Sequence, residues 1–128
     1  MVEKRSPASV LVIDDDPDMR RLLSDFLVRG GYHVIEASNG NDAIFLVESE
    51  RIDIAILDKE MPGMNGLDVL SFLRQRCPSL PIIFITAFGG RDVAEESRRR
   101  GAWHYIEKPF RVAAIVDTVQ AVVDRPMT

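Results

Sequence analysis

One cysteine in 128 residues cannot close an internal disulfide. That excludes a disulfide-stapled scaffold and points to a reducing compartment, the cytoplasm. With no second thiol and no nearby histidine, Cys77 makes no zinc site and reads as a structural thiol. Long apolar runs are missing as well: those such as Val10–Ile13 and Ile82–Ile85 are strand-sized and far too short to span a bilayer, so no membrane association is expected. Excess positive charge is absent. Lys and Arg total 16 against 20 Asp and Glu, and the net charge of -4 argues against direct nucleic acid binding by this domain.

What is present is an ordinary globular composition, 46% hydrophobic and 28% charged, which excludes disorder over the whole chain. Short apolar runs alternate with helical patterns. Val10–Ile13, Ile54–Leu57 and Ile82–Ile85 are apolar throughout and rich in Val and Ile, as strands buried on both faces are. Val34-Ile35 and the stretch from Trp103 to Ile106 are shorter or mixed with His33, Glu36 and His104, as edge strands are. Between them, Met19, Leu22, Leu23, Phe26 and Leu27 recur with a helical period, capped by Asp16-Pro17 and ended by Gly30-Gly31. Three further helices centre on Ala43–Val47, Leu67–Leu73 and Ile115–Val123, the last stopped by Pro126. A fourth in chain order, about Asp92 to Arg100, has only Val93 and Ala94 to bury and carries the pairs Glu95/Arg99 and Glu96/Arg100, so it is expected to be loosely held. Strand then helix, five times over, predicts an α/β domain: five parallel strands with helices on both faces.

In such sheets ligands bind beyond the carboxyl ends of the strands. Asp14-Asp15-Asp16 ends the first strand, Asp58 the third and Thr86 the fourth, and Lys108 follows the fifth. Each has an unremarkable reading alone: a helix cap for Asp16, turn residues for Asp14 and Asp15, a solvated lysine for Lys108. Together they do not. Two carboxylates about 4 Å apart repel by about 4 kcal/mol at an effective dielectric near 20, and a stability-driven sequence has no reason to build that. A divalent cation relieves the repulsion, and Lys108 relieves part of it. Carboxylates without His or Cys select a hard ion, so Mg²⁺ is the expected cofactor. A metal, an ammonium and a hydroxyl around one carboxylate suit phosphoryl transfer.

Four stretches, Val10–Pro17, Leu57–Gly66, Ile85-Thr86-Ala87 and Lys108-Pro109-Phe110, together resemble a response-regulator receiver domain of two-component signalling. The resemblance runs from residue 9 to 124, leaving an N-terminal extension at 1–8 and a tail at 125–128. It implies a single doubly wound (βα)5, flavodoxin-like domain with strand order 2-1-3-4-5. It implies that Asp58 accepts a phosphoryl group from a sensor histidine kinase or phosphotransfer protein. Asp14 and Asp15 would hold Mg²⁺, Asp15 directly and Asp14 more through water, with Asp58 and the backbone carbonyl of Glu60. Lys108 would pair with the acceptor and then with the phosphoryl oxygens, its bond to Pro109 usually being cis in the family. Thr86 and Tyr105 would be the switch pair, with the backbone of Ala87 a second new donor. Glu60 and Phe88 occupy positions that set the lifetime of the phosphorylated form, and the residues alone give no direction for this pair.

The implied function is a phosphorylation-dependent switch. It assists its own phosphorylation and dephosphorylation but is not a turnover enzyme on an external substrate. The glycines Gly89-Gly90 would absorb a backbone change, and the face of helix four, strand five and helix five would control an output partner or domain. Arg98–Arg100 on that face read either as helix-dipole compensation or as a partner or homodimer surface. His33 and His104 sit away from the acidic cluster and are not expected to carry phosphate. Two alternatives stand: a receiver-like protein-binding module acting without phosphorylation, and a small phosphatase with Asp14 as nucleophile and Asp16 two residues on.

Overall fold

The computed structural model describes residues 7–124. The expectations for residues 1–6 and 125–128, including Pro126 as a helix stop, lie outside the described residues. The chain runs β1 (Ser9–Ile13), α1 (Pro17–Arg29), β2 (His33–Ala37), α2 (Gly40–Ser49), β3 (Ile54–Asp58), β4 (Glu60–Met61), β5 (Met64–Asn65), α3 (Gly66–Arg76), β6 (Ile82–Thr86), α4 (Arg91–Arg99), β7 (His104–Glu107) and α5 (Val112–Val123). Five strands form one parallel sheet in the order β2-β1-β3-β6-β7. With the two-residue strands β4 and β5 set aside, this is the expected order 2-1-3-4-5.

The alternation of side chains along the strands divides the core in two. Val10, Val12, Ile54, Ile56, Ile83 and Ile85 point to the face covered by α1 and α5, through Leu23, Leu27, Ile115 and Val119. Leu11, Ile13, Ala55, Leu57, Ile82 and Phe84 point to the other face, against Ala43 of α2 and Val69, Leu70 and Leu73 of α3. β3 and β6 are buried at every position, whereas β2 and β7 expose His33, Glu36, His104 and Glu107, as edge strands. Asp16 caps α1 by accepting the Asp18 N–H at 3.0 Å, with Pro17 in the first turn. The boundaries of α4 and β7 fall one residue from those expected, within the fraying of element ends.

α4 is held by more than its apolar residues suggest. Ser97 is fully buried, and its hydroxyl donates to the Ala94 carbonyl. Arg99 pairs with Glu96, not with the expected Glu95, and Arg100 bonds both Glu96 and Asp68 of α3. The side chain of Arg74 reaches from α3 to the Gly101 carbonyl at the end of α4. Cys77 caps α3, half-buried, with no disulfide partner.

The antiparallel β4–β5 hairpin was not expected from the sequence; two-residue strands are too short to show an alternation. It returns the chain so that Gly66, first in α3, lies against the backbone of Lys59. A Cβ at Gly66 would overlap the Lys59 Cα and carbonyl. Gly66→Ala is therefore expected to destabilise the fold by about 1–3 kcal/mol, read as a lowered urea midpoint with unchanged slope.

Candidate functional site

Register assembles the site. Ile13 lies beside Leu57, so Asp14, one residue on, comes level with Asp58. Asp58 lies beside Ile85, which puts Thr86 one step above it. Thr86 lies beside Glu107, and Lys108 follows. The Lys108 N–H donates to the Thr86 carbonyl at 2.8 Å, extending the ladder by one rung, and the Lys108–Pro109 peptide is cis.

One carboxylate oxygen from each of Asp14, Asp15 and Asp58 lies within 4.8 Å of the others. Asp14 and Asp58 are 3% exposed, and Asp15 is the most exposed of the three. Burial pushes the Asp14 carboxyl up to about 7, and the neighbouring Asp58 adds to this against a lowering hydrogen bond from the Asp16 N–H. Asp58 Oδ1 accepts the Glu60 N–H at 3.2 Å, and Oδ2 accepts Lys108 Nζ at 3.1 Å. Burial works to lower the Lys108 pKa, but its bond to Asp58 and the surrounding carboxylates raise it above the ordinary value, so the ammonium stays charged. Three oxygen donors with no His or Cys among them fit a hard divalent ion.

The other expected residues spread outward from this cluster. Thr86 is fully buried; its hydroxyl donates to Glu60 Oε2 at 2.5 Å and accepts the Phe88 N–H at 3.0 Å. The Ala87 N–H donates to Glu60 Oε1 at 2.7 Å. Tyr105 is half-buried, its hydroxyl donating to Glu107 Oε1 at 2.9 Å and accepting the Gly90 N–H at 3.2 Å. Gly89 makes room for this, since a Cβ there would overlap the Tyr105 hydroxyl. Phe88 is 74% exposed. His33 and His104 begin their strands, at the opposite end of the sheet from the carboxylates.

Two supporting residues escaped the sequence reading. Arg20 of α1 donates to the Asp14 carbonyl at 2.7 Å and pairs with Glu36 of β2, bracing the acidic loop. Glu107, two residues after Tyr105 and so on the same strand face, also accepts the Gly90 N–H at 3.1 Å. The alternation was legible, but its loop partner was not. A cavity of about 550 Å³ lies elsewhere, beside Gly31, Tyr32, Arg51, Asp53 and Asp124. No helix among the described residues is long and apolar enough to cross a membrane.

A (βα)5 domain with acidic residues, a hydroxyl and an ammonium at its strand ends defines a class, and comparison with known proteins agrees. Residues 10–120 match the family model of the response regulator receiver domain. The chain belongs to this family, the receiver domains of two-component response regulators. It is 38% identical over 112 residues to the response regulator protein FleR of Pseudomonas aeruginosa, an alignment covering 88% of this chain and 24% of FleR. It is 34% identical to sporulation initiation phosphotransferase F of Bacillus subtilis, covering 87% of this chain and 90% of that protein. Among solved structures, the CheX–CheY–BeF3–Mg²⁺ complex from Borrelia burgdorferi contains a chain that superposes with a TM-score of 0.85 at 28% identity, covering 91% of this chain and 89% of that one. The chain thus spans about a quarter of FleR but nearly all of the phosphotransferase.

Proposed function

We propose that this domain is a phosphorylation-dependent switch whose acceptor is Asp58. The observation that carries the reading is the buried Asp58 carboxylate held by Lys108 at 3.1 Å beside the carboxylates of Asp14 and Asp15. The phosphoryl group comes from the phosphohistidine of a sensor kinase or phosphotransfer protein. The bond from phosphorus to the donor breaks as a bond to an Asp58 carboxylate oxygen forms, and the donor leaves with the electron pair. Lys108 stays protonated and meets the charge that develops on the phosphoryl oxygens.

Asp14, Asp15, Asp58 and the Glu60 backbone carbonyl would hold Mg²⁺, which would supply further neutralisation of the transferred group. The Borrelia relative, solved with BeF3 and Mg²⁺, supports this assignment. Thr86 and the Ala87 N–H are the donors for the new oxygens. Their movement shifts the loop 86–90, α4, β7 and Tyr105, and that face is the surface read by an output partner or domain. A homodimer through the same face is a further part of the reading, as are a cytoplasmic location and the absence of turnover on an external substrate. The proposed domain bounds remain 9–124.

Intact mass after incubation with Mg²⁺ and a small acyl-phosphate donor tests the reading. We expect one added phosphoryl group on the parent, none without Mg²⁺ and none on Asp58→Asn. An adduct that survives Asp58→Asn would move the nucleophile to Asp14. No adduct on the parent, with no Mg²⁺ binding either, would favour a protein-binding module.

A further inference from the structure

The two groups assigned above to receive the phosphoryl oxygens are already engaged. Thr86 has one hydroxyl proton and Ala87 one amide proton, and both are donated to the Glu60 side chain, at 2.5 and 2.7 Å. Neither group has a second proton to offer. The Glu60 carboxylate spans them with one oxygen each, as a phosphoryl group on Asp58 would have to. Lys59 Nζ stands 3.6 Å from Glu60 Oε2, a position from which it can keep the carboxylate paired once the two donors are lost.

We propose that Glu60 is a built-in competitor of the phosphoryl group: its carboxylate holds Thr86 and Ala87 in the resting state and must leave before either can bind a phosphoryl oxygen. This rests on the receiver reading and gives the lifetime-tuning position a direction. Glu60 is a positioning residue that acts through Thr86 and the loop after β6. It opposes the switched state by exclusion at two donors, over and above the repulsion between its charge and the incoming anion.

Exclusion and repulsion separate by reach. Glu60→Asp keeps the charge but is one methylene too short to span both donors. Glu60→Ala removes both effects. The probe is beryllofluoride at saturating Mg²⁺, with affinity taken from ¹⁹F resonance intensities. Glu60→Asp is expected to bind about tenfold more tightly than the parent, the equivalent of about 1.4 kcal/mol, and Glu60→Ala more tightly again. A residue that merely supported the fold would weaken binding when removed.

The Ala87 amide resonance supplies a second readout. It is expected to differ between free parent and free Glu60→Ala, then converge when both hold beryllofluoride. Uptake by both Glu60→Asp and Glu60→Ala but not by the parent would support the proposal in its strongest form. Equal affinities in all three chains, with Ala87 unmoved by the substitution, would overturn it and leave the receiver reading intact. Tighter binding by Glu60→Ala with Glu60→Asp matching the parent would also overturn it, since charge alone would then suffice. No uptake by any chain would remove the receiver reading, and this inference with it.

Discussion

Lys108→Ala is expected to slow phosphoryl uptake from a small donor by about a hundredfold to a thousandfold, the usual effect of removing one preorganised charge from a site of phosphoryl transfer. Lys108 is the cation directly bonded to Asp58, at 3.1 Å from Oδ2, and the carboxylates around it hold it protonated. Without it, an incoming phosphoryl group meets Asp14, Asp15 and Glu60 with less opposing charge. Mg²⁺ affinity should be unchanged or stronger, because a positive neighbour of the ion has gone. That split separates a role at the transferred group from general damage to the site. The Lys108 side chain is about three quarters buried and its partner Asp58 almost wholly so, so the thermal midpoint is measured beside the rate to separate lost stability from lost chemistry. Quench-flow mass spectrometry and Mg²⁺ titration check both halves. A rate like the parent's, or a loss of Mg²⁺ binding with the rate, would remove Lys108 from the assigned role.

Some of this architecture was legible because burial on both faces leaves a strong mark. Ile54–Leu57 and Ile82–Ile85 carry no polar interruption and are rich in isoleucine, as central parallel strands are. Asp14, Asp58, Thr86 and Lys108 could be placed together since each stands at a strand's carboxyl end, and a parallel register brings such ends level. What stayed hidden depends on loop paths. The bonds from Glu60 to Thr86 and Ala87 need the β4–β5 hairpin and the turn after β6 to meet, and neither has a periodicity. Arg20 was read only as part of a helix, because its partners lie on two other elements. The pairing of Arg99 with Glu96 instead of Glu95 shows the same limit at short range: spacing offers three- and four-residue partners, and rotamers choose between them. Phe88, a bulky residue in the right place along the chain, is exposed to solvent, which its position in the sequence does not reveal.

Mg²⁺ affinity is expected to rise with pH, by up to about tenfold per unit from about pH 5 until it levels near 7. The cause is Asp14. Its burial, with Asp58 alongside, holds the carboxyl at about 7 against an ordinary 3.8, so at lower pH a proton occupies a carboxylate proposed to hold the ion, directly or through water. Isothermal titration in buffers of different ionisation enthalpy should count close to one proton released per ion near pH 6 and almost none above 8. The sign for stability follows from the same shift. The folded chain binds this proton more tightly than the unfolded one, so Asp14's contribution is complete below 3.8 and lost as pH rises through about 7. Without metal, the Asp14 share of stability therefore falls across that window, and saturating Mg²⁺ should restore most of it. Asp14→Asn should remove both the slope in affinity and the fall in stability, at the cost of weaker metal binding. An affinity that stayed flat across the window would mean that the Asp14 carboxylate lies outside the ion's coordination, and its burial beside Asp58 would then have no ligand to offset it.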